Sequence, residues 1–84
     1  MRDYRKLAVT FRKRVRETRE RLGVAPWALA ELAGVREANV FGLEFGTGQY
    51  TTLFEVVRYA DALGVSVDYL LGRSADNTST LELE

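Results

Sequence analysis

Arg12, Lys13, Arg14 and Arg16, flanked by Arg5, Lys6 and Arg21, form the densest group of chemically active side chains in this sequence, and the chemistry they offer is electrostatic. The chain has 12 basic and 12 acidic residues and a formal net charge of zero, which argues against coating a polyanion by bulk attraction. That average conceals an asymmetry. Residues 1–22 carry nine basic and three acidic side chains, a net of +6, and residues 23–84 carry three basic and nine acidic, a net of −6. A basic segment of this kind is either a phosphate-facing surface or the solvated face of a helix, and charge alone does not choose between them.

Bond-making chemistry has little to work with. The sequence lacks histidine, the commonest general base and metal ligand, and it lacks cysteine, which removes thiolate nucleophiles, disulfides and cysteine metal sites. Glu31, Glu37 and Glu55 are spaced as surface or capping groups, with no glycine-rich phosphate loop beside them. The expectation is a protein that is not an enzyme and holds no metal or cofactor. No apolar run approaches the length of a membrane span and MRDYRKLAVTF has no continuous apolar core, so a soluble, cytoplasmic protein is expected.

At 84 residues and 46% hydrophobic content the chain fits one small all-α domain. Tyr4, Leu7, Phe11, Val15, Thr18 and Leu22 recur at steps of three and four, predicting one face of a long first helix with Asp3 as its cap and Gly23 beyond its end. Pro26 opens a second helix at a position where the missing N–H costs nothing, although Ala25 is a poor cap. Leu29, Ala30 and Ala33 share one of its faces, Gly34 suits a sharp turn, and Val40 and Leu43 repeat at helical spacing in a third helix that stops at Gly46. This stretch, 26–46, reads as a helix-turn-helix. Thr52 and Glu55 make a capping box for a fourth helix, whose buried face is predicted from Leu53, Val56, Val57, Ala60 and Leu63. Ser66 caps a short fifth helix closed by Gly72, and residues 73–84 lack a core pattern and read as a flexible tail.

ALAELAGV at 28–35, Leu43-Glu44 followed by Gly46, and ADALGVSVDYLLG at 60–72 closely resemble the frame of the lambda repressor and Cro family, also called the XRE family. The resemblance covers roughly residues 11–72, leaving residues 1–10 as an extension of the first helix. It implies a five-helix lambda repressor-like DNA-binding domain, and it implies that Arg19 pairs with Glu44 at the end of the third helix as a structural ion pair.

Members of this family bind operator DNA as dimers, with the third helix in the major groove and the amino ends of the second and third helices against phosphates. Carried over by position, the resemblance implies base-reading candidates Glu37, Ala38, Phe41 and Gly42 beside Arg36. It places Trp27 near the DNA, leaves phosphate contact to Arg12, Lys13, Arg14 and Arg16 of the first helix, with Lys13 and Arg14 foremost, and puts a homodimer contact around Tyr69 and Val65. Glu37 suits a cytosine amino group, Ala38 and Phe41 suit thymine methyls, and Arg36 suits guanine or phosphate. The expected function is therefore a sequence-specific transcriptional regulator, a dimeric repressor.

The same face departs from the family pattern. Pro26 has no N–H to give a phosphate, Phe45 stands where a basic residue is frequent, and TGQYT has no lysine or arginine. Trp27, Phe41, Phe45, Tyr50 and Phe54 fall at positions that are polar in relatives. An alternative expectation follows from them: a protein-interaction module on the same scaffold, binding another regulator or a toxin through these aromatics. A third possibility is that they cover one another or lie under the first helix.

Overall fold

In a computed structural model the described residues, 4–46 and 51–75, form five α-helices and no strand. These are α1 Tyr4–Arg21, α2 Pro26–Ala33, α3 Glu37–Phe45, α4 Leu53–Leu63 and α5 Val67–Leu70. Among the described residues no helix is long and apolar enough to cross a membrane. Asp3, Tyr50 and residues 76–84, each given a role above, lie outside the described residues.

One core joins all five helices. Phe11 and Val15 of α1, Leu29, Ala30 and Ala33 of α2, Val40 and Leu43 of α3, and Tyr59, Ala60 and Leu63 of α4 are buried together with Val65 and Leu70. Burial of each large apolar side chain contributes about 1.5–3 kcal/mol before the entropy of ordering is subtracted. Phe11 and Tyr59 meet at 6.4 Å with rings tilted by 58°, tying α1 to α4 at the centre of that core.

Three helices end in the same two letters, Gly-Val. Gly34, with φ of 70°, lets the chain reverse at the end of α2, and Val35 N–H then donates to Ala30 C=O at 3.0 Å as Val35 packs against the core. Gly23-Val24 after α1 and Gly64-Val65 after α4 repeat the arrangement. A left-handed glycine followed by a returning apolar residue thus ends a helix and adds to the core in one step.

This device corrects one end of the α1 pattern. Leu22, predicted on the buried face, is exposed, because the chain turns at Gly23 and Val24 fills the place against the core. The α4 face also differs from expectation. Leu53 and Val57 are exposed, whereas Tyr59, which a purely apolar count passes over, is fully buried. Val56, Tyr59, Ala60 and Leu63 form the inward row at i, i+3, i+4 and i+7, so Val57 falls on its rim and Leu53 lies one turn before the core begins.

The caps follow the sequence reading. Thr52 Oγ1 accepts from Glu55 N–H at 3.1 Å, Ser66 Oγ accepts from Tyr69 N–H at 3.0 Å, and Ala25 provides no side-chain cap to α2. Residues 73–75, assigned above to the tail, are held against the body: Arg73 N–H donates to Asp68 C=O at 2.8 Å and Ser74 C=O accepts from Arg14 at 3.0 Å.

Candidate nucleic-acid interface

The position of α3 is set from its inner side. Val40 and Leu43 are buried in the core, and Glu44, one residue on, meets α1 through Arg19. Arg19 Nε donates to Glu44 Oε2 at 2.7 Å and Nη2 donates to Oε1 at 2.9 Å, a two-pronged pair whose side chains are only 12% and 6% exposed. The third nitrogen, Nη1, donates to Val24 C=O at 2.9 Å, and Val24 N–H donates back to Arg19 C=O at 3.1 Å. The hydrogen bond to Glu44 raises the Arg19 pKa further above its ordinary value against the opposing effect of burial, so the guanidinium stays charged. One arginine thereby fixes the end of α1, the turn after it and the carboxyl end of α3.

The outer side of α3 faces away from all of this. Arg36, Glu37, Ala38, Phe41 and Phe45 are exposed, whereas Gly42 is buried, which leaves it little open surface with which to read a base. Arg36 occupies the N-cap with extended backbone and no side-chain cap hydrogen bond. Phe41 and Phe45, one turn apart, stack with centroids 6.1 Å apart and planes within 2° of parallel. At the other end of the helix the Arg12 guanidinium carbon lies 3.9 Å from the point that a Gly46 side chain would occupy. The exposed strip of α3 therefore has an arginine near each end.

Lys13 and Arg16 of α1 are exposed, and Trp27 is exposed at the start of α2. Arg14 is committed elsewhere. Its Nη1 donates to Tyr69 C=O at 2.7 Å and to Ser74 C=O at 3.0 Å, and its guanidinium sits 4.5 Å above the Tyr69 ring. That set of contacts turns Arg14 toward the carboxyl end of α5, whereas Lys13 and Arg16, also expected on phosphate, are exposed. Of the two residues expected in a dimer contact, Tyr69 is half-buried and Val65 is core at 4% exposure.

Two features were not read from the sequence. Arg58 of α4 reaches the α2–α3 turn and donates to Gly34 C=O at 3.4 Å, a contact between residues 24 positions apart that no local pattern signals. The stacking of Phe41 on Phe45 was in principle visible in their i, i+4 spacing. Phe54 joins these rings among the exposed aromatics, at 76% exposure on the first turn of α4.

No protein-family model and no curated protein matches this chain.

Proposed function

We propose that this chain is a sequence-specific DNA-binding transcriptional regulator, a cytoplasmic dimeric repressor built on the lambda repressor and Cro frame, with α2 and α3 as its helix-turn-helix. The observation that carries this reading is the anchoring of α3: its inner side is held by core packing and the Arg19–Glu44 pair, while Arg36, Glu37, Ala38 and Phe41 on its outer side stay exposed. A recognition helix needs this division, because side chains can read base edges only from a helix whose position does not drift. In this reading Arg36, Glu37, Ala38 and Phe41 meet base edges. Lys13, Arg16 and Arg12 meet phosphates, and Tyr69 contributes to the contact between copies. Gly42, Val65 and Arg14 drop out of those roles for the reasons of burial and pairing given above.

Selection from random duplex DNA at two salt concentrations tests the proposal. A single enriched sequence is expected, arranged as half-sites about 34 Å apart for a two-fold dimer. Affinity should fall with salt at a slope of roughly −0.9 per phosphate neutralised. A chain that enriches no sequence and whose weak binding ignores salt does not have this function.

A second reading rests on the exposed Phe41–Phe45 stack and on Phe54: a protein-interaction module with little affinity for DNA. Phe41→Lys separates the two. It abolishes a protein complex built on the rings, whereas on the first reading it changes the sequence preference of DNA binding.

A further inference from the structure

The chain runs on past Ala75 from a fixed place on α1. Gly72, with φ of 78°, passes so close to α1 that a side chain there would meet Thr10 Cγ2 at 2.7 Å, and Arg14 Nη1, one turn along α1, donates to Ser74 C=O at 3.0 Å. Thr10 and Arg14 therefore mark the line on α1 along which residues 72–74 lie. To one side of that line, around the helix, is the buried row Phe11, Val15 and Thr18. To the other is an exposed stripe, Lys6, Val9, Lys13 and Arg16, at steps of three and four.

The stripe and the residues that follow Ala75 are opposite in charge. From Tyr4 to Arg16 the sequence has six basic residues and no acidic one, whereas residues 76–84 have Asp76, Glu82 and Glu84 and no basic one. Residues 23–75 carry six acidic and three basic side chains, so the rest of the body repels these carboxylates and α1 attracts them. Apolar groups correspond as well: Val9, 55% exposed, lies within the stripe, and Leu81 and Leu83 alternate with the two glutamates. The segment from Ala75 to Leu81 can span up to about 20 Å, more than the stripe's length of about 15 Å.

We propose that residues 76–84 are an internal competitor for the basic face of α1: their carboxylates pair with Lys6, Lys13 and Arg16, their leucines cover Val9, and a duplex displaces them before its phosphates reach Lys13 and Arg16. The contact is a property of this chain alone, and the displacement rests on the DNA-binding reading. Tethering supplies the carboxylates at an effective concentration in the millimolar range. Each exposed pair is weak and screened by salt, so the contact yields to a polyanion and acts as a reversible check on non-specific binding.

Because the sequence has no cysteine, one introduced thiol reports the contact in the full chain. Thr80→Cys carrying a nitroxide broadens the amide NMR signals of residues near it. At low salt the expected broadening runs along Lys6–Arg16 and drops when Asp76→Asn, Glu82→Gln and Glu84→Gln are added to the same labelled chain, a comparison that removes the effect of tethering alone. Broadening that ignores these charges, or that centres on α3 or α4, overturns the proposal. In the second arm a mixed-sequence duplex at about 50 mM salt abolishes the α1 broadening, and the unlabelled charge-neutral chain binds it about five-fold more tightly than the unaltered chain. A duplex that binds while the broadening persists overturns the competition and leaves the DNA-binding reading standing. Failure of both chains to bind any duplex overturns the competition together with that reading, and the contact on α1 is then judged by the first arm alone.

Discussion

The two sides of α3 were built under different constraints. On the inner side each group has a partner in the fold: Val40 and Leu43 pack in the core, and Glu44 spends both carboxylate oxygens on Arg19. On the outer side, Phe41 and Phe45 stack on each other and are 42% and 71% exposed. Burial of large rings is among the strongest stabilising contributions available to an 84-residue chain, and this helix leaves Phe45 mostly and Phe41 partly in water. The contrast teaches that residue types on the inner side answer to stability, whereas those on the outer side answer to something outside the fold.

Removing the inner anchor has the largest expected effect. Arg19→Met leaves Glu44 as a nearly buried carboxylate without its guanidinium, and it releases Val24 C=O as well. Such a loss costs on the order of 3–5 kcal/mol, a large part of the stability of a domain this size. Chemical denaturation of the purified variant should show the midpoint moving down by a corresponding amount, and an unchanged midpoint would mean that the pair contributes nothing. Replacing both partners, as in Arg19→Met with Glu44→Leu, should recover part of the loss, because the stranded charge is then gone.

The pairing of Arg19 with Glu44 was legible only through the family resemblance, whereas the helix ends and caps around it were legible from local chemistry. Gly23, Gly34, Gly46 and Gly64 fell where left-handed helix ends require them, Thr52 and Ser66 fell at caps, and Glu44 closed a helix whose register Val40 and Leu43 had already set. What escaped the sequence was long-range or depended on orientation. Arg14 was grouped with its basic neighbours, although it folds onto Tyr69 and Ser74 more than 50 residues away. Leu53 and Val57 were counted as core because they are apolar, while the helix turns toward Tyr59 and buries that phenol instead. Val65 belongs to the core because it follows Gly64 in the same turn that returns Val24 and Val35. The outer face was legible in composition but not in geometry: the aromatics could be named, yet the stacking of two of them with an arginine near each end needed the fold.

The core side has a further weak point of intermediate size. Tyr59 is fully buried, and its hydroxyl has no hydrogen-bond partner among the described residues. Burial, reinforced by the nearby charges of Glu55 and Glu44, raises its pKa from 10.0 to about 12. Below pH 10 the phenol is protonated in both states and contributes no pH dependence. Between 10 and 12 the unfolded chain gives up a proton that the folded chain retains, so unfolding is favoured as pH rises through that window. The stability lost by pH 12 from this residue is on the order of 2 kcal/mol. Denaturation measured at about pH 9 and about pH 11.5 should reveal it, and Tyr59→Phe should flatten the decline while leaving stability near neutral pH almost unchanged. A decline of the same steepness in Tyr59→Phe would assign the effect to other groups.

The smallest expected effect is the one that tests the outer face. Phe45 is 71% exposed and stacks on Phe41, so replacing it removes little that folding had gained. Phe45→Ser should therefore shift stability by no more than about 0.5 kcal/mol, the range of ordinary surface substitutions. The measurement is thermal unfolding at two protein concentrations that differ by about 100-fold, because a second copy seated on the rings would make the melting temperature of the unaltered chain depend on concentration. A loss larger than about 1 kcal/mol that appears only at the higher concentration would mean that the rings are covered by another copy of the chain, which would leave them unavailable to a groove. A small loss at both concentrations keeps the two sides of α3 energetically separate, and any change in binding by the same variant can then be assigned to the rings themselves instead of to a shifted helix.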